Sequence, residues 1–284
     1  MTVKISGPYN FDLVLDRLAL DPLHAIDRGN RSVNVPLMVN QKPQVVEVKA
    51  IGSTDEPEFS ISSRNPEAIE KLAHIFQWNR PLTDIHDHFQ MTDLNPIFEK
   101  HRGTPLVLDF DPYGCLLKCI VHQQLNLSFA HTLTERFVKT FGFEVDGVFF
   151  YPQPEKVASL TVEDLRELQF SGRKAEYVIG IAQAIVDGTL DIDSLRKKTD
   201  EEIMKELIKL RGVGPWTVQN LLMFGLGRPN LFPVADIGLQ NALKKLYNLE
   251  SKPTLEEMEE YKKAWEPYLS YASLYLWRSL EEAM

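Results

Sequence analysis

The fold prediction starts from residues 210–217, which read Leu210-Arg211-Gly212-Val213-Gly214-Pro215-Trp216-Thr217. Apolar residues recur at helical spacing on both sides of this stretch: Ile203, Leu207 and Leu210 before it, and Val218, Leu221, Leu222 and Gly225 after it. Gly212 and Gly214 can adopt backbone angles closed to other residues, and Pro215 suits the first position of a helix. The stretch therefore predicts two helices joined by a tight turn, a hairpin that spans residues 202–225.

The start of the second helix offers backbone N–H groups to an anion. The first N–H groups of a helix have no partner within it, and we expect those of Val213 and Gly214 to point outward. A phosphate oxygen can accept from them, and on a nucleic acid such a contact holds the backbone and reads no sequence. A lone Gly-x-Gly is more often an ordinary helix corner, so this interpretation depends on a second feature.

Asp236 supplies the second feature. It ends the stretch Phe232-Pro233-Val234-Ala235-Asp236 and precedes a helical stripe, so it lies where an N-cap is expected. Alone, such an aspartate is more often only a cap. In combination, residues 210–247 resemble the helix-hairpin-helix (HhH-GPD) DNA glycosylase superfamily, in which a Gly/Pro-rich loop ending in a catalytic aspartate follows the hairpin.

Composition places the 284-residue chain among globular proteins, with 44% hydrophobic and 25% charged residues. No apolar run approaches the roughly 20 residues that cross a bilayer, and the N-terminus lacks the basic and apolar regions of a signal peptide. We therefore expect a cytoplasmic protein without a membrane partner, associated with the nucleoid if its source is a bacterium.

The net charge of −9 argues against a protein that coats DNA through a broad basic face. A hairpin that holds phosphate through backbone N–H groups needs few lysines, and Lys244 and Lys245 could form a local basic patch or simply a solvated helix face. The two cysteines, Cys115 and Cys119, are predicted to be reduced core thiols. The four-cysteine cluster that relatives resembling endonuclease III use for an iron-sulfur centre is absent, so no such cluster is expected.

The fold class is predicted as α+β. In residues 1–79, short apolar runs separated by Asn, Gly, Pro and Asp indicate an antiparallel sheet, with helices over Phe11–Leu18 and Pro66–Phe76. Residues 80–284 are predicted to form a helical body of two subdomains, with a catalytic loop at 229–237. The helical stripes in it are Leu94–Lys100, Tyr113–Gln124, Phe129–Phe141, Val162–Leu168, Lys174–Asp187 and Asp200–Leu210.

This order of domains resembles the 3-methyladenine DNA glycosylase II family over nearly the whole chain, a layout that 8-oxoguanine glycosylases share. The resemblance implies a TBP-like N-terminal domain and a role for Asp236 as the catalytic carboxylate. It would stabilise the oxocarbenium character of the sugar as the damaged base departs, and orient or deprotonate water. Where relatives that also cut the backbone carry a nucleophilic lysine, this chain has Trp216, which favours a monofunctional enzyme that leaves an abasic site.

The resemblance also suggests the base pocket. Trp277 ends a match to the family's Tyr-Ala-x-x-x-x-Trp pattern, and with Trp216 it would present an electron-rich face to cationic alkylated purines such as 3-methyladenine and 7-methylguanine. Arg17 and Asn220 stand where aromatic residues are usual. Arg17 would repel a charged base, point away, or hydrogen-bond a neutral lesion. The alternatives are therefore a glycosylase for hypoxanthine or 8-oxoguanine, or a catalytically silent protein that binds damaged DNA.

The remaining predictions concern DNA. The phosphate clamp would comprise Gly212, Val213, Gly214, Trp216 and Thr217. Gln123, Gln124 and Leu125 end a helix and resemble the family's loop that enters the minor groove, although whether Gln124 or Leu125 enters is open. The family's hairpin can hold a monovalent cation through main-chain carbonyls, here those of Ile208, Leu210 and Val213; no other cofactor is expected. The partner would be double-stranded DNA with damaged bases, bound by a monomer.

Overall fold

An antiparallel sheet of five strands forms the centre of the N-terminal region in the computed structural model, which describes residues 1–281 except the side chain of Glu281. The strands are β1 (Thr2–Lys4), β2 (Ala25–Asp27), β3 (Ser32–Val39), β4 (Lys42–Ala50) and β5 (Glu58–Ile61), in the order β1-β5-β4-β3-β2. Val35 pairs with Val46 in the register of β3 and β4, and both are buried because alternate residues of each strand face the core.

Two helices cover this sheet, as predicted. Helix α1 (Phe11–Leu18) begins at Asn10, whose side chain accepts hydrogen bonds from the next N–H groups, and α2 (Pro66–Ile75) begins in the same way at Asn65. The ring of Phe11 packs edge-on against Phe59 of β5 at 5.3 Å between centroids. The predicted α+β class is therefore confirmed.

The remaining chain is mostly helical. Its helices are α3 (Leu82–Gln90), α4 (Asn95–Lys100), α5 (Pro112–His122), α6 (Leu127–Phe141), α7 (Pro154–Ala158), α8 (Val162–Glu167), α9 (Gly172–Val186), α10 (Asp200–Leu207), α11 (Pro215–Asn220), α12 (Ile237–Leu246), α13 (Leu255–Lys262) and α14 (Leu269–Glu281). A short strand pair, β6 (Phe143–Val145) and β7 (Val148–Phe150), lies between α6 and α7. Every predicted stripe is a helix, with shifted ends; β6, β7, α3, α7 and α13 were not predicted.

Two hydrophobic cores hold these elements together. The first joins the N-terminal sheet to α3, α4 and the C-terminal helices, with Trp265, Tyr271 and Tyr275 fully buried in it. The second lies among the helices from α5 to α11. Phe224 and Leu231 contact both cores, so the segment that links the hairpin to Asp236 runs along the seam between them. The boundary at residue 79 stays a prediction.

Within residues 1–281, no helix combines the length and the apolar character that crossing a membrane requires.

Candidate active site

The helical hairpin has the predicted form. Helix α10 is capped by Thr199, which exchanges hydrogen bonds with Glu202, and it ends at Leu207, three residues before the predicted end. The turn depends on Gly212, whose φ of +89° is rarely available to other residues. Gly214 has an extended backbone (φ −110°) and caps α11, which starts at Pro215. Helix α11 continues into one wider π-helical turn, Leu221–Gly225.

One feature of the predicted phosphate clamp is wrong. The N–H of Val213, expected to be unpaired, donates to the carbonyl of Leu210 at 3.1 Å, because the turn folds back onto the end of the preceding helix. Thr217 is also buried, whereas Trp216 is 43% exposed. Any clamp at this corner therefore depends on Gly214 and Trp216 at the start of α11. The predicted monovalent cation site uses the same turn. Of its three carbonyls, that of Leu210 already accepts the hydrogen bond from Val213.

The two hairpin glycines should respond differently to substitution. Gly212→Ala should lower the free energy of unfolding by about 1–3 kcal/mol, because its φ is positive and a Cβ would lie 2.3 Å from the Tyr177 ring. Gly214→Ala is the matched control: a Cβ there meets no atom within 4 Å, so stability should change by less than about 1 kcal/mol. Urea denaturation measures both, and equal stability of the two variants would contradict this account of the turn.

Asp236 lies at the N-cap of α12, as predicted. Its Oδ1 accepts the N–H of Leu239 at 2.9 Å, which satisfies one of the free donors at the helix start. The same Oδ1 accepts the indole N–H of Trp277 at 2.8 Å. Because both bonds use Oδ1, the carboxylate is fixed in one orientation and Oδ2 is the oxygen left to face a substrate.

The contact between Trp277 and Asp236 requires a glycine beside it. A Cβ on Gly238 would lie 2.9 Å from Asp236 Oδ1 and 3.0 Å from Cδ1 of Trp277, so any larger residue would push the indole and the carboxylate apart. Trp277 also packs on the ring of Phe224, with 6.1 Å between centroids. Trp277 thus holds the carboxylate directly, in addition to the base contact that its sequence pattern suggested.

A pocket of about 270 Å³ opens between α1, α5, α6 and α11, and we call it the base pocket. It brings together three of the four residues predicted for that role, Arg17, Trp216 and Asn220, and it adds Phe224. Arg17 points into this pocket: its guanidinium lies 4.1 Å above the Phe224 ring, and its Nε donates to the carbonyl of Val107 at 3.3 Å. Trp277 adjoins the pocket through Phe224.

The pocket wall carries charge in balanced pairs. Lys118 Nζ lies 2.5 Å from Asp109 and 3.8 Å from Asp21. Burial alone would raise the pKa of Asp109, but the cations of Lys118 and Arg17 lower it to about 2. Burial also lowers the pKa of His122 to about 4, helped by the charge of Lys118. The wall therefore carries Arg17 and Lys118, Asp21 and Asp109, and three histidines, His24, His122 and His131, whose pKa values burial lowers.

The residues predicted at the loop that enters the minor groove occupy three different environments, and we call residues 123–126 the wedge loop. Gln123 turns inward, and its Nε2 donates to the carbonyl of Gly212 and to the hydroxyl of Thr217, both at 2.9 Å. Leu125 packs partly against the second core. Gln124 is exposed at the tip, with a φ of +56°. Of the two residues considered for insertion, Gln124 is the one that the loop presents outward.

Comparison with known proteins assigns the family. The sequence pattern described as HhH-GPD superfamily base excision DNA repair protein matches residues 117–267, which include the wedge loop, the hairpin and Asp236. The chain belongs to this superfamily. A Bacillus subtilis (strain 168) protein, YfjP, whose name gives it provisionally as a DNA-3-methyladenine glycosylase, is 58% identical over 98% of each chain. Our chain is thus a DNA glycosylase similar to the 3-methyladenine glycosylases.

Solved structures show the same fold over the whole length. The 3-methyladenine DNA-glycosylase from Archaeoglobus fulgidus has a TM-score of 0.87 at 21% identity, covering 99% of this chain and 98% of that one. The Clostridium acetobutylicum 8-oxoguanine glycosylase/lyase, in complex with double-stranded DNA, has a TM-score of 0.77 at 20% identity, covering 100% and 98%. The HhH-GPD fold is therefore shared by relatives with different substrates.

Several site residues of this glycosylase were not found from the sequence. Gly238 and Phe224 gave no signal, because their roles depend on contacts with Trp277 and Arg17, which lie far away along the chain. Lys118 lies in a stripe that was interpreted only as a helix, and Asp109 lies between two predicted helices. Lys245, suggested for a basic patch, donates to the carbonyl of Ser279 at 3.1 Å.

A larger cavity, about 660 Å³, lies behind the base pocket and shares with it the wall formed by Asp21, Asp109 and Lys118. It is bounded by β3, α2 and β7 and by the end of α9. Trp216, Asn220 and Phe224 line the base pocket but not this larger cavity.

Proposed function

We propose that this glycosylase hydrolyses the N-glycosidic bond of alkylated purines, such as 3-methyladenine and 7-methylguanine, in duplex DNA after flipping the nucleotide, and leaves an abasic site. The observation that supports this most is the fixed carboxylate of Asp236, because Trp277 that holds it also packs on Phe224 of the pocket wall. The name of the similar B. subtilis protein agrees with it.

The proposed reaction uses one carboxylate. As the bond between the sugar C1′ and the base nitrogen breaks, its electron pair leaves with the base and neutralises the charge of an alkylated purine. The C1′ becomes cationic, and the negative charge of Asp236 stabilises it. Water then adds to C1′ and gives a proton to Oδ2 of Asp236, since Oδ1 is held by Trp277 and Leu239.

The same proposal includes that the enzyme does not cleave the DNA strand. A β-elimination lyase needs an amine that forms a Schiff base with the sugar. Trp216 stands at the hairpin position that carries the lysine in lyases of this fold, and an indole nitrogen cannot form that bond. The pocket lining does contain a lysine, Lys118, but it is paired with Asp109 and Asp21, and these carboxylates keep its pKa raised despite burial.

The deciding experiment incubates the protein with methylated duplex DNA and measures two products. Free 3-methyladenine and 7-methylguanine should appear, while the strand stays intact until hot alkali cleaves it at the abasic sites. Borohydride should trap no covalent complex. Strand breaks that appear before alkali is added, or a trapped complex, would contradict a monofunctional enzyme; no release at all would contradict the substrate proposal.

A second candidate function is release of a neutral purine such as hypoxanthine, and the inward orientation of Arg17 favours it. A fixed cation about 5 Å from a positively charged base costs on the order of 3 kcal/mol at an effective dielectric of about 20. Asp109 offsets part of that cost, since Arg17 lies close enough to lower its pKa. The guanidinium N–H groups could donate to the carbonyl oxygen of a deaminated purine.

Arg17→Gln should therefore raise the release of 7-methylguanine relative to hypoxanthine. We expect about a tenfold change, because Asp109 offsets only part of the Arg17 charge. Single-turnover rates on two duplexes that differ only in the lesion give this ratio. Arg28→Gln is the control, because Arg28 is exposed and pairs with Asp16 outside the pocket. An unchanged ratio in the Arg17 variant would show that its charge does not reach the base.

A further inference from the structure

Lys174 closes the end of the helix that leads into the wedge loop (residues 123–126). It lies in the first turn of α9, and its Nζ donates to three carbonyls at the end of α5: those of Ile120 at 3.0 Å, Val121 at 2.9 Å and Gln123 at 2.5 Å. The last carbonyls of a helix have no partner within it, and a cation that binds them also opposes the negative end of the helix dipole. One ammonium therefore fixes where α5 stops.

Gln123 is held from the opposite side as well. While its main-chain carbonyl accepts from Lys174, its side chain donates to Gly212 and Thr217 of the hairpin. The first residue of the wedge loop thus connects α9, α5 and the hairpin. The next residue, Gln124, projects outward with its φ of +56°.

We propose that Lys174 is a positioning residue that locks the wedge loop to the hairpin, so that insertion of the tip and contact with the DNA backbone occur as one rigid movement. The proposal rests on the base-flipping function given above. Without this contact, the loop would lose conformational entropy each time a nucleotide is flipped. The flipped state would then be less populated. Lys174 contacts no substrate in this role and acts only through the loop.

The test compares one lesion in two settings. In a fully paired duplex, flipping requires a wedge that replaces the lost stacking; in a single-nucleotide bulge, the lesion is already unstacked and needs less help. Lys174→Met should lower the single-turnover rate on the paired lesion by about tenfold and change the rate on the bulge much less. Lys174→Arg keeps N–H donors for the three carbonyls. The ratio of the rate on the paired lesion to the rate on the bulge should therefore stay close to the wild-type ratio.

A matched control and a second variant separate this role from folding. Lys71 also donates to a backbone carbonyl, that of Met38, but in the N-terminal region, so Lys71→Met should leave the ratio unchanged. Gln123→Ala breaks the link to the hairpin without touching the end of α5, and it should reproduce the selective defect. Equal loss on both substrates in Lys174→Met, with a lower melting temperature, would reduce Lys174 to a structural role and overturn the proposal.

A readout without catalysis keeps this proposal distinct from the proposed function. 2-Aminopurine placed beside a tetrahydrofuran abasic analogue should brighten when the wild-type protein binds and unstacks it. The Lys174→Met protein, at saturation, should give a clearly smaller increase. If no base is ever released, the substrate proposal fails but this measurement still decides the role of Lys174; equal brightening by both proteins would overturn it.

Discussion

Replacing Asp236 by asparagine should reduce the rate of base release by at least about 100-fold, the scale on which the loss of one electrostatic group slows an enzyme. Asparagine has the shape of aspartate and caps helices equally well, so the Oδ1 bonds to Leu239 and Trp277 can persist. The negative charge that would stabilise C1′ is lost, and so is the Oδ2 that would accept the proton from water. Single-turnover release of 7-methylguanine, with the melting temperature recorded alongside, measures the effect.

The control for this prediction is a second N-cap aspartate. Asp111 begins α5 and accepts the N–H of Gly114 at 2.7 Å, so Asp111→Asn makes the same chemical change at a helix start outside the base pocket. Its release rate should stay near the wild-type value. Binding to a duplex with an abasic analogue should survive in both variants. Comparable release by Asp236→Asn and wild type would exclude Asp236 as the reacting carboxylate.

Local signals in the sequence predicted the parts of the site that are local in the structure. The N-cap position of Asp236 followed from the helical stripe after it, and the hairpin followed from two apolar periodicities around a glycine turn. The short strands β6 and β7 were missed because three residues each carry too little alternation to be recognised. The free N–H of Val213 was wrong because a hydrogen bond within a tight turn depends on backbone angles that spacing does not reveal.

The orientation of side chains was beyond the sequence. Arg17 and Phe224 are far apart in the chain, and only the packing of α1 against the segment after α11 places one over the other. The three carbonyls that Lys174 holds are likewise more than 50 residues away from it. The resemblance suggested residues for the base pocket, but it did not supply the contacts that orient them.

Trp277→Phe should lower the rate of base release by about 10- to 100-fold, which corresponds to the 1.5–3 kcal/mol of a hydrogen bond to a charged group. Phenylalanine keeps an aromatic ring against Phe224 but removes the N–H that holds Oδ1 of Asp236 at 2.8 Å. A carboxylate free to rotate is less often aligned with the sugar. Because the ring remains, affinity for the lesion should fall much less than the rate of the chemical step.

Trp265 provides the matched control for that variant. Its Nε1 donates to Asp93 at 2.9 Å, so the same kind of bond exists at a buried position away from the base pocket. Trp265→Phe should lower the melting temperature yet leave the single-turnover rate of the folded protein near wild type. Trp277→Phe should lower the single-turnover rate and leave the melting temperature near the wild-type value. If Trp277→Phe instead weakened lesion binding and spared the rate at saturating protein, Trp277 would act through the base, as its sequence pattern first suggested, and not through the carboxylate.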